Sequence, residues 1–235
     1  MPPPRQILDI LKHPARSETT LLLIRHGQTE ANINRLLVGL TDVPLDQLGE
    51  SQARRIGEHM RNVPIDALVT SPLKRARDTA HQISVATGHT PVVVPGLSEM
   101  NFGRAERLTM EQVVAQFPEL MTLRDDDDST FAWPDGDHRV GFHDRVYATF
   151  LGLIERYDRQ RLAVVCHGGV IGSFFAQIEG GSPNDFERYA VANCSITHLV
   201  VTADHTEVHL WNDVTHLDEV HNEPWGIYPT GALDG

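Results

Sequence analysis

Two unbroken apolar runs stand out along the chain: Leu21-Leu22-Leu23-Ile24 and Leu162-Ala163-Val164-Val165-Cys166. Runs of this length, rich in branched side chains, read as strands covered on both faces, as in parallel sheets. Each stops abruptly at polar residues and glycine. Elsewhere the period changes. Residues 46–60 put Leu48, Ala53, Ile56 and Met60 on one side and charges on the other, which predicts an amphipathic helix. Residues 67–70 read as a second short strand. Ser71-Pro72 then reads as a helix start, with serine as N-cap and proline in the first turn, running to Thr87 and stopping at Gly88. A third strand is expected at 91–94, and a short helix behind the capping box Thr109-x-x-Gln112. Longer helices are expected at 140–157 and from Gly168 to about 178, with a closing hairpin at 195–202 and 207–211.

Strand and helix patterns alternate, which predicts one α/β domain with a mostly parallel central sheet and helices on both faces. Its expected limits are 19–220. Residues 1–18 read as a poorly ordered leader with a short helix near 7–11, and 221–235 as an extended tail. Residues 117–138 carry Pro118, four aspartates at 125–128, Pro134 and Gly136. With their flanks, about 100–139, they read as a lid-like insertion. The aspartates lack the spacing and turning glycine of a calcium loop and read as solvated.

The net charge of −12 over 235 residues argues against nucleic acid or an anionic membrane as partner. It does not exclude phosphate, because a few arginines can make one cleft positive within an acidic surface. Cys166 and Cys194 make no disulfide framework, and Cys166 reads as a buried free thiol. No apolar run has the length of a membrane span, and no signal-peptide core is present, so a cytoplasmic location is expected. A homodimer is compatible with this pattern, which does not require one.

The chemistry sits at the strand ends. Ile24-Arg25-His26-Gly27 and Val165-Cys166-His167-Gly168-Gly169 each release a histidine and a glycine where ligands bind in open α/β sheets. If the strands are neighbours, both imidazoles converge on one ligand. Either histidine alone is as readily a satisfied structural residue; two, with glycines and an arginine, point to an anion site. Ser71-Pro72-Leu73-Lys74-Arg75-Ala76-Arg77 follows another strand; one of Arg75 and Arg77 should face the cleft and the other solvent. Glu99, between apolar residues just past a strand, fits a general acid held protonated by burial.

With these elements in order, the chain resembles the histidine phosphatase superfamily, the branch of cofactor-dependent phosphoglycerate mutases and small phosphatases. The likeness spans about residues 20–217. It is carried by Arg25, His26, Gly27, Thr29 and Asn32; by Asp42, Pro44, Leu45 and Gly49; by Ser71 to Ala76, which selects Arg75; by Glu99; by His167 to Gly169; and by Asn212, His216 and Leu217. The resemblance implies a three-layer α/β/α sandwich of the phosphoglycerate mutase type. It implies that His26 attacks phosphorus, that Arg25, Asn32, Arg75, His167 and the Gly168 N–H hold the phosphoryl oxygens, and that Glu99 serves the leaving group. It implies no metal and no cofactor.

Against the mutase pattern, Glu99 is followed by Met100-Asn101-Phe102-Gly103, without the expected arginine and tyrosine, and Val38-Gly39 replaces Thr-Gly. Hydrolysis of a small phosphorylated metabolite is therefore the expected activity, with phosphoglycerate mutase, a non-catalytic phospho-ligand module and a metallohydrolase as competitors. Thr29, Val38, Gly39, Phe102 and Arg104 are candidate substrate contacts; Arg104 and Arg107 replace part of the commoner phosphatase element and suit a second anionic group.

Overall fold

The computed structural model describes residues 18–120, 131–202 and 205–220. The expected leader, its helix, the four aspartates and the tail lie outside the described residues. Six strands form one sheet: β1 (Thr19–Arg25), β2 (Ala67–Thr70), β3 (Val92–Val93), β4 (Arg161–Cys166), β5 (Ile196–Val201) and β6 (Thr206–Asp213). Their order is β3-β2-β4-β1-β5-β6. The first four run parallel; β5 is antiparallel to β1, and β6 to β5. The helices that matter here are α1 (Glu30–Ile33), α2 (Gln47–Met60), α3 (Lys74–Thr87), α4 (Met110–Gln116), α5 (Arg139–Arg156) and α6 (Gly168–Ile178).

The two apolar runs are the central strands β1 and β4, and their alternate residues feed two cores. Leu21, Leu23, Val164 and Cys166 pack under α5 and α6 through Phe142, Val146, Phe150 and Phe174. Leu22, Ile24, Ala163 and Val165 face α2 and α3 through Ile56, Met60, Ala80 and Ile83. Each such aliphatic side chain contributes roughly 1.5–3 kcal/mol on burial, so burial on both faces makes these strands the rigid base of the fold. Three layers result, as expected.

Three expectations need correction. The helix after β2 begins at Lys74, with Leu73 rather than Ser71 at the cap. The Ser71 hydroxyl is committed to His167 and to the Leu73 N–H, and the Lys74 N–H donates instead to Asp42 Oδ1 at 2.5 Å. Gly88 ends the helix in the left-handed region, φ 78°. Second, the third strand shrinks to two exposed residues at the sheet edge. Third, the described parts of the expected lid-like insertion at 100–139 send side chains into the core. Phe117, Leu120, Phe131 and Trp133 are buried, and Trp133 meets Phe102 and Phe131 edge-on, with ring centroids 4.9 and 5.4 Å away. Such aromatic burial outweighs the loop-forming composition around it.

Candidate active site

The sheet register brings the site together. Arg25 pairs with Cys166 across β1 and β4, so the next residues, His26 and His167, leave side by side. Their ring centroids lie 5.2 Å apart. On the other side of β4, the Ser71 N–H donates to Val165 O at 2.9 Å as β2 ends. Three strand exits therefore meet at the C-terminal end of the parallel strands. The turn before β5 closes the far side: Arg25 Nη1 donates to Val191 O at 2.6 Å, and Asn193 Nδ2 donates to the His26 carbonyl at 2.9 Å.

Local packing explains the glycines. Gly27 and Gly49 let the β1 exit cross the start of α2, where a Cβ on either would strike the opposing backbone. The Gly27 N–H donates to Thr79 Oγ1, and Gln28 N–H to Gln52 Oε1. A Cβ on Gly169 would collide with Glu99 Oε1.

His26 is buried and its Nδ1 lies 2.7 Å from Gly27 O. A carbonyl only accepts, so Nδ1 carries the proton and Nε2 the lone pair. Arg75 Nε–H points at that lone pair from 3.3 Å. Burial first, then the charges of Arg75 and Arg25, hold the His26 pKa well below its ordinary value. His167 is held low by burial, Arg75, His26 and Arg25. Its Nε2 lies 2.7 Å from Ser71 Oγ, and its buried Nδ1 has no hydrogen-bond partner among the described residues. Arg25 and Arg75 are lowered to about 10 by burial, which Glu99 partly offsets, so both remain cationic near neutrality.

Arg25, His26, Asn32, Arg75, Glu99 and Gly168 line one cleft. Its remaining wall is Leu36, Val38, Gly39 and Phe102. Arg75 is buried and Arg77 exposed, so the helix resolves that pair as expected. Glu99 is buried, but its two oxygens accept N–H bonds from Met100 and Gly169 at 3.0 and 3.1 Å. The burial thus comes with polar partners that an apolar-pocket reading leaves out. Arg145 holds the Glu99 loop by donating to the carbonyls of Gly96, Ser98 and Glu99.

Two candidate contacts fall outside the cleft. Thr29 is fully buried and caps α1, bonding with Asn32 in a capping box. Arg104 lies over the Phe117 ring and 3.9 Å from Asp135. Val191, Asn193, Arg145 and the Ser71–His167 contact were missed. Ser71 did carry a polar signal after a strand, which its fit as a cap absorbed; Asn193 sits in a loop with no periodicity.

The chain is 28% identical over 200 residues to the Bacillus subtilis "Uncharacterized phosphatase PhoE", covering 85% of this chain and 97% of that one. It is 30% identical over 206 residues to the Citrobacter koseri "Probable phosphoglycerate mutase GpmB", covering 83% and 94%. A solved mycobacterial glucosyl-3-phosphoglycerate phosphatase superposes with a TM-score of 0.72 at 26% identity, over 83% of this chain and 99% of the other. The family model of the histidine phosphatase superfamily, branch 1, matches residues 21–214, and the chain belongs to that superfamily.

Proposed function

We propose that the protein hydrolyses phosphomonoesters of small metabolites through a phosphohistidine formed on His26. The observation that carries this reading is His26 in the wall of a cleft also lined by Arg25 and Arg75, with its Nδ1 on Gly27 O and its Nε2 beside the Arg75 Nε–H. Nε2 attacks phosphorus and the P–O ester bond breaks. Glu99 relays a proton from solvent to the leaving oxygen. The positive charge formed on the His26 ring is met by Gly27 O at Nδ1. Arg25, Arg75, Asn32, the Gly168 N–H and His167 Nδ1 hold the phosphoryl oxygens, and preorganised charge of this kind can carry phosphoryl transfer. Water then attacks the phosphohistidine, Glu99 takes a proton from it, the P–N bond breaks and phosphate leaves.

The tautomer of His167 supports this reading. The Leu73 N–H takes one lone pair of Ser71 Oγ at 3.3 Å, and in this reading the Ser71 O–H donates to His167 Nε2 at 2.7 Å. His167 then carries its proton on Nδ1, as a donor to a phosphoryl oxygen requires.

The test is a panel of phosphomonoesters assayed for inorganic phosphate, with phosphoglycerate isomerisation measured alongside in the presence of chelator. Phosphate release matching substrate loss is expected. Isomerisation without phosphate release would reassign the protein as a mutase, and neither activity would leave a binding module.

A further inference from the structure

Arg75 is a long side chain with several rotatable bonds, buried at the junction of a helix and a loop. Its two Nη groups donate to Gly39 O at 2.9 Å and to Thr41 O at 3.1 Å, while Nε faces His26 Nε2. The guanidinium is thus aimed by two loop carbonyls. That loop is irregular: Gly39 has φ 54°, and its own backbone closes one turn, with Thr41 N–H donating to Val38 O at 3.0 Å. A further anchor comes from outside it.

The anchor is a carboxylate sixty-six positions away from Leu40. Glu106 Oε1 accepts from the Leu40 N–H at 2.8 Å, and Oε2 accepts from the Thr41 N–H at 2.9 Å and from the Thr41 hydroxyl. The turn that carries Glu106 is itself stitched to the same segment, with Arg107 N–H donating to Leu37 O and Leu37 N–H to Leu108 O. A Cβ at Gly39 would collide with Glu106 Oε1, so glycine there meets both the left-handed backbone and the approach of the carboxylate. Two backbone amides and a hydroxyl converge on a single carboxylate, each a charge-assisted hydrogen bond. The same negative charge lies close enough to Arg75 to favour its cationic form.

We propose that Glu106 is a positioning residue for phosphate recognition: it pins the 39–41 loop, whose carbonyls aim the Arg75 guanidinium at the group held by His26. This rests on the reading of Arg75 as a phosphate-holding residue. It also gives a role to Glu106 in the 104–107 segment, where the sequence suggested only the arginines.

A double-mutant cycle tests it. Glu106→Gln keeps the shape of the side chain but sets an NH2 group against a backbone N–H donor. In the wild type it should lower kcat/KM for p-nitrophenyl phosphate about tenfold and weaken binding of inorganic phosphate, since small displacements of a catalytic group cost that much. In an Arg75→Ala background the same change should cost less than about twofold, because the group it positions is gone. Glu106→Ala should repeat the pattern; if that variant does not fold, the glutamine variant alone decides. An equal loss in both backgrounds, or no loss in the wild type, overturns the proposal. Calorimetry with inorganic phosphate separates the two layers. Wild type that binds phosphate without turnover rejects the hydrolase reading yet leaves Glu106 testable by affinity. Wild type that does neither rejects both.

Discussion

The exits of β1 and β4 look alike in sequence, each an apolar strand ending in His-Gly, yet they present opposite edges of the same ring. At β1, Gly27 O ties down Nδ1 of His26 and leaves Nε2 facing the cleft. At β4, Ser71 ties down Nε2 of His167 and leaves Nδ1 without a partner among the described residues. The first arrangement puts the lone pair on Nε2; the second, with the Ser71 O–H donating to Nε2 as proposed above, puts an N–H on Nδ1. Under the proposed function, backbone and neighbour contacts at the opposite nitrogen, rather than the motif, divide the two histidines into nucleophile and oxyanion donor.

Substitutions at the two exits should therefore differ in size. His26→Ala should lower kcat on the order of a thousandfold or more, because the covalent route is lost. His167→Ala should cost about a hundredfold, the usual scale for one oxyanion donor. Ser71→Ala should cost about tenfold or less, since it only frees the His167 tautomer. Steady-state kinetics on p-nitrophenyl phosphate gives the order, and a Ser71→Ala loss as large as that of His26→Ala would break the comparison.

Acid titration sharpens it. Both rings have pKa values held well below the ordinary 6.5 by burial and the neighbouring arginines. In NMR titrations neither ring should change between pH 8 and about 6.5, and Arg75→Ala should move both upward. The unfolded chain binds these protons near the ordinary value, so it holds more protons than the folded state as pH drops. Stability should thus decline as pH falls below about 6.5. His143 and His198, each pushed to about 4 by burial, add to the same slope. Either ring titrating at its ordinary value would contradict the electrostatics described above.

The apolar runs at 21–24 and 162–166 made the central strands legible, because only residues buried on both faces carry so unbroken a pattern. The register then follows from their shared exits, and with it the meeting of His26, His167 and Arg75. What composition concealed was anchoring by isolated side chains. Phe131 and Trp133 sit among Asp, Pro and Gly, and a few aromatic residues without period leave no signal of a packed segment. Glu106 and Asn193 act on backbone atoms far along the chain, a relation that local spacing does not record. Ser71 reads in sequence as a helix cap, and its contact with the His167 imidazole shows only in the fold.

The division of labour between the two histidines can be tested by rapid mixing with substrate, quenching in alkali and mapping the acid-labile phosphate by peptide. The account predicts phosphate on the peptide containing His26 and none on the peptide containing His167. Label on His167, or phosphate release with no labelled peptide at any time, would contradict it.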